Sequence, residues 1–138
     1  MKNRRIFVEK YPRFQVEADT LRRELNANLG LNIETLRYIN VYDLFGFSDE
    51  LLERSRYSVF GEVVTDAVTD ECDMEGMPFL AVEFLPGQFD QRAASAVDCL
   101  HLIEPNAEVK IKSSRLYIFD KSVDEAAMAR IEKYLINA

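Results

Sequence analysis

The sequence predicts an α+β domain made of two βαβα repeats, and three observations predict it. First, the chain repeats itself: Val8-Glu9 and Pro12 recur 74 positions later as Val82-Glu83 and Pro86. After a single inserted residue, Gly87, the offset becomes 75 and pairs Phe14 with Phe89, Ala18 with Ala93, and Leu25 with Leu100. The same offset pairs Tyr42 with Tyr117 and Asp49-Glu50 with Asp124-Glu125. Second, apolar periodicity switches in the same order in each half, from strand to helix to strand to helix. Third, 48% of the 138 residues are apolar and 11% aromatic, enough for a packed core.

The elements follow in order. Ile6–Glu9 is a short apolar strand that Pro12 closes by removing a ladder donor. Phe14, Ala18, Leu21, Leu25 and Leu29 form a helical stripe, with Gly30 placed to end it. Leu36–Leu44 is rich in strand formers and apolar on both faces. Ser48 offers an N-cap hydroxyl, and Phe47 and Leu52 are spaced as a hydrophobic staple for a helix running to about Val59. The second half predicts a strand over Phe79–Leu85 and a helix capped by Asp90 and buried through Ala93, Ala96, Val97, Leu100 and Ile103. A long strand over Glu108–Phe119 follows, and Ser122 with Glu125 then reads as a capping box. Repeat one thus covers about 5–61 and repeat two about 79–138. Residues 62–78, with Asp66, Asp70, Glu71, Asp73 and Glu75, read as an exposed acidic connector in which Val63-Val64 offers a possible extra strand. Neither repeat buries a core alone, so the expected architecture is a pseudo-symmetric pair, its sheets packed together and its helices outside.

Composition narrows function mainly by exclusion. Seventeen basic against 24 acidic residues give a net charge of −7. The basic residues that cluster (Lys2, Arg4, Arg5, then Arg22 and Arg23) lie close to Glu9 and Glu24, so nucleic acid and anionic membranes are not expected partners. The basic start is followed only by Ile6, Phe7 and Val8 before Glu9, too little for a secretory segment, and no apolar run has membrane-spanning length. Cys72 and Cys99 are expected as reduced thiols in a cytoplasmic protein, Cys99 in the core. The five glycines are never closer than 11 residues apart, which excludes phosphate-cradling glycine loops. Cys99 and His101, two apart on a helix, point to different faces and do not make a metal pair. Glu71, Asp73, Glu75 and Gly76 imitate the start of a calcium loop, but its twelfth position falls on Val82. No catalytic, cofactor-binding or metal-binding residue is expected.

Three blocks carry a family resemblance: Arg5-Ile6-Phe7-Val8-Glu9-Lys10, then Val82-Glu83-Phe84-Leu85-Pro86-Gly87-Gln88-Phe89-Asp90-Gln91-Arg92, and last Lys133-Tyr134-Leu135-Ile136-Asn137. They resemble the N-terminal domain of the large, single-chain phosphoribosylformylglycinamidine synthase, and the resemblance spans all 138 residues. It implies a fold like a fused dimer of the small PurS subunit that serves the split enzyme. It also implies a role in holding synthetase and glutaminase regions together and in forming the ammonia path between them. ATP, magnesium and the glutaminase nucleophile would belong to other parts of the full-length ligase, and 1–138 alone would be inactive. The polypeptide is then expected to continue past Ala138. Gln88, Asp90, Gln91 and Arg92 have no counterparts in the first repeat and are the candidate inter-domain contacts. The equivalent Phe14 and Phe89 are expected to serve the core. The alternative is a tandem ferredoxin-like or ACT-like regulatory domain that binds a small effector. A tandem RNA-binding domain lacks its aromatic platform motif in both long strands.

Overall fold

The computed structural model describes residues 3–136; Met1, Lys2, Asn137 and Ala138 lie outside the described residues, and with them part of the basic start and the end of the last resembling block. The chain forms β1 (Arg4–Lys10), α1 (Val16–Leu29), β2 (Leu36–Phe45), α2 (Asp49–Ser55), β3 (Asp66–Thr69), β4 (Phe79–Glu83), α3 (Gln91–Ile103), β5 (Lys110–Phe119) and α4 (Glu125–Ile136). This is an α+β fold with one antiparallel five-stranded sheet in the order β3-β1-β2-β5-β4.

The expectation of sheets packed together is therefore corrected. The halves join edge to edge through a continuous β2–β5 ladder from Leu36–Phe119 to Phe45–Lys110. Pairing the two longest strands satisfies a full row of backbone donors and acceptors that stacked sheets would leave open. In β1–β2, Val8 lies opposite Asn40; in β4–β5, Val82 lies opposite Arg115. Asn40 and Arg115 also face each other across the β2–β5 ladder.

All four helices lie on one face, over two separate half-cores. One gathers Ile6, Val8, Tyr42, Leu44 and Ile111 with Leu51 and Leu52 of α2 and Ala93, Ala96 and Leu100 of α3. The other gathers Leu36, Tyr117 and Phe119 with Ala18 and Leu25 of α1 and Ala127 and Ile131 of α4. Each half-core takes one helix from each half of the chain.

The opposite face buries Ile39, Val41, Leu116 and Ile118, and here a second expectation is corrected. What covers this face is the connector, through Cys72, Met74 and Met77, rather than the other repeat. Arg37 pins that segment: its guanidinium donates to both carboxylate oxygens of Glu9 at 2.9 and 2.7 Å and to the Asp73 carbonyl at 2.8 Å. The connector also closes the sheet edge, since β3 pairs with β1. The strand falls at Asp66–Thr69, not at Val63-Val64, because the Asp66 carboxylate accepts from the Glu62 amide (2.8 Å) and the Thr65 hydroxyl (3.1 Å) and so winds 62–65 into a turn.

Burial pushes the Cys72 thiol above its ordinary value, with Arg37 pulling it back, whereas Cys99 is exposed. Cys72 should therefore react with a disulfide reagent more slowly than Cys99. Arg37→Met should speed Cys72 by about tenfold, the effect of weakening local closure by about 1.4 kcal/mol, while Cys99 is unchanged. Loss of the Arg37 charge would by itself slow the thiol, so acceleration reports opening. An unchanged Cys72 rate would mean that the methionines hold the segment without Arg37.

Local signals explain the helix ends. Ser48 Oγ accepts from the Leu51 amide at 3.1 Å, and Gly30 adopts φ 65°, where a side chain is disfavoured. The expected Ser122 capping box is replaced by Asp124, whose carboxylate accepts from the Ala127 amide at 2.8 Å. α4 begins only at Glu125, which puts Asp124 at the cap position and leaves Ser122 in the preceding turn, its amide donating to Asp120 at 2.9 Å. The same Asp120 carboxylate accepts from the Glu34 and Thr35 amides at 2.7 and 2.9 Å. Those hydrogen bonds outweigh burial and hold its pKa at about 2.

Candidate functional site

The two half-cores do not meet over the middle of the sheet. Where apolar residues would join them, the helical face carries Asn40 and Arg115. A cleft of about 690 Å³ opens there, floored by Tyr38, Tyr42, Ser113 and Arg115 and walled by Gln91, Arg92 and Phe89. A smaller hollow of about 210 Å³ adjoins it at Tyr38, beneath α1, and is lined by Asn40, Phe14 and Glu17. The Asn40 side-chain oxygen is buried and meets no donor among the described residues.

The cleft is cationic and aromatic. Burial opposes the Arg92 charge, but the neighbouring Tyr42 hydroxyl, with Tyr38 and Glu17, holds its pKa above the ordinary arginine value. Burial likewise raises the Tyr38 and Tyr117 hydroxyls, against the pull of Arg92 and Arg115. Tyr38 and Tyr117 stay protonated at neutral pH, and Arg92 stays charged. Tyr38 and Tyr117 stack with ring centroids 5.3 Å apart.

The four candidate contacts divide into two pairs. Gln88 Oε1 accepts from the Leu85 amide at 2.6 Å and closes the 85–88 turn. Asp90 caps α3 through the Ala93 amide at 3.0 Å and also accepts from the amide and hydroxyl of Ser113, both at 2.7 Å. Both side chains are engaged within the chain. Gln91 and Arg92 instead border the cleft.

Phe89 is 73% exposed, which corrects its expected place in the core; its equivalent Phe14 is half-buried. The inserted Gly87 is the cause, since the turn it permits (φ 88°) carries Phe89 outward. Phe84 and Phe89 then border the cleft as exposed apolar side chains, with exposed Leu85 next to Phe84 in the chain. The insertion in an otherwise regular repeat was the available signal for this exposure. Cys99 is likewise exposed on the cleft wall rather than in the core. His101 places Nε2 3.0 Å from the Ala107 carbonyl. Among the described residues no group of three or more His, Cys, Asp or Glu side chains is placed to hold a metal, and no helix is long and apolar enough to cross a membrane.

These features define a single-sheet α+β domain with a central cleft lined by cationic and aromatic side chains. The sequence matches no protein-family model, no curated protein and no solved structure.

Proposed function

We propose that the chain is a PurS-like N-terminal domain of a phosphoribosylformylglycinamidine synthase, a non-catalytic piece that aligns synthetase and glutaminase regions in the cytoplasm. The observation that carries this reading is the strand register. Val8 faces Asn40 and Val82 faces Arg115, so the two ladders are related by the offsets of 74 and 75 that relate the repeats in sequence, including the insertion. The exchange of helices between half-cores and the pairing of Asn40 with Arg115 at mid-ladder support the same fused-dimer reading. In the full-length ligase, ATP and magnesium would serve the synthetase region, outside this chain.

Exposed Phe84, Leu85 and Phe89, with Gln91 and Arg92, are the docking surface in this reading. In the full-length enzyme, Arg92→Ala should lower glutamine-dependent synthesis by about tenfold, the effect of one lost charged hydrogen bond. Synthesis from added ammonium should fall less than twofold, because it does not need aligned domains. Equal losses on both nitrogen sources would reject the docking role. The isolated chain should neither hydrolyse ATP nor deamidate glutamine.

The cleft favours one second reading, an effector-binding regulatory tandem, since Arg92, Arg115, Tyr38 and Tyr42 suit a small anionic ligand. Isothermal titration of the chain with amino acids and nucleotides separates the two, and saturable heat abolished by Arg115→Ala would favour the effector.

A further inference from the structure

The offset of 75 gives the central cleft a counterpart, and the two have diverged. Subtracting 75 from Arg92, Ser95, Cys99, Ser113 and Arg115 of the cleft gives Glu17, Thr20, Glu24, Tyr38 and Asn40. Those five line two hollows against α1, of about 210 and 290 Å³, where the cleft has about 690 Å³. Both arginines are thus confined to the second half, and their equivalents are an acid and an amide. Packing common to the halves accounts for buried pairs such as Ala18 with Ala93 or Leu25 with Leu100. It does not account for two guanidinium groups on one side alone.

The partners of those groups point the same way. Arg4, Arg5, Arg37, Arg54 and Arg56 each meet a carboxylate, but among the described residues Arg92 and Arg115 meet none. Glu17 acts on Arg92 only from beyond ion-pair distance. The two arginines share their cavity with the rings of Phe84, Phe89 and Tyr38, and both phenylalanines are exposed. The volume suits a small molecule, and the side chains around it select for negative charge and a flat apolar face.

We propose that the cleft binds a phosphate monoester carried on a planar ring, the phosphate held by Arg92 and Arg115 and the ring against Phe89. The proposal deepens the effector-binding reading of the cleft and rests on it. Phosphate suits this pair better than carboxylate. It brings about two negative charges at neutral pH and three terminal oxygens, so guanidinium groups on different elements, α3 and β5, can each take a separate edge. A carboxylate presents a single edge, enough for one fork. No glycine loop is needed, since guanidinium forks stand in for backbone amides.

Isothermal titration of the 138-residue chain with phenyl phosphate, glycerol phosphate and benzoate tests the assignment, because the last two each lack one half of the ligand. Phenyl phosphate should bind at least tenfold more tightly than either. Arg92→Ala and Arg115→Ala should each weaken it by about tenfold or more, the effect of a lost charged hydrogen bond. Phe89→Ala should weaken phenyl phosphate by about fivefold, through lost stacking, and leave glycerol phosphate unchanged. Arg92 and Phe89 are exposed, so their replacement leaves the core intact. Glu24→Gln, at the counterpart of Cys99 across the sheet, should change nothing; a loss equal to that of Arg115→Ala would overturn the one-sided assignment. Benzoate bound as tightly as phenyl phosphate, and lost in Arg115→Ala, would overturn the phosphate while leaving an effector site. Equal binding of glycerol phosphate and phenyl phosphate would overturn the ring. Absence of arginine-dependent binding by all three would overturn the proposal and the effector reading together.

Discussion

Asp90→Ala is expected to lower the stability of the domain by about 3 kcal/mol. The carboxylate is the cap of α3, and caps of this kind contribute about 1 kcal/mol. It also accepts from the amide and hydroxyl of Ser113 at 2.7 Å each. Ser113 is buried, so truncation strands a donor in a poorly solvated place, at a cost of about 1–3 kcal/mol. For a domain of this size the sum corresponds to a fall in melting temperature of roughly 10 °C. Asp90→Asn should lose about half as much, because the amide oxygen still caps the helix. Gln91→Ala, one residue on and exposed, should change stability by less than about 0.5 kcal/mol. Thermal denaturation of the three variants decides the matter: similar small losses for Asp90→Ala and Gln91→Ala would mean that the Ser113 contacts contribute nothing.

Gly46→Ala is expected to cost a similar amount by a different route. Gly46 ends β2 with φ 84°, a conformation that costs an alanine about 1–2 kcal/mol. An added Cβ would also stand 2.6 Å from the Glu108 carbonyl oxygen, and that oxygen belongs to backbone that cannot rotate aside. Relieving the overlap should cost about another 1–3 kcal/mol. Gly87→Ala is the matched control. Its φ is 88°, but nothing lies within 4 Å of the added methyl, so only the conformational cost of about 1 kcal/mol remains. Urea unfolding that ranks the two alanines equally would show that the chain at Glu108 yields freely.

What was legible in the sequence was whatever is decided by neighbours in the chain. Ser48, Gly30 and Asp90 mark helix ends because a cap is a contract between residues a few positions apart. The long strands were legible because Leu36–Leu44 and Glu108–Phe119 are dense in strand-forming residues, a signal that needs no remote partner. The connector was misread because its partners are remote. Met74 and Met77 stand among acids, and only Arg37, Glu9 and the apolar row at Ile39, Val41, Leu116 and Ile118 make a roof of them. Val63-Val64 has the stronger strand propensity, yet β3 lies at Asp66–Thr69, because one buried aspartate fixes the turn before it. Gln91 and Arg92, expected as inter-domain contacts, lie on the wall of the cleft. The cleft itself was not legible: alternation along β2 places Tyr38 and Tyr42 on one face, but only the β2–β5 pairing brings Arg115 beside them.

The crossing of helices between the half-cores has a consequence for synthesis of the chain. When α1 and β2 have left the ribosome, the surface they need for burial does not yet exist. Leu25 waits for Ile131, and Leu36 waits for Phe119. The largest ladder of the sheet joins strands about 75 positions apart, so the first half spends much of its translation with an open β2 edge and an unfilled helical face. Neither half can be completed first, and the molecule must close on itself late and all at once.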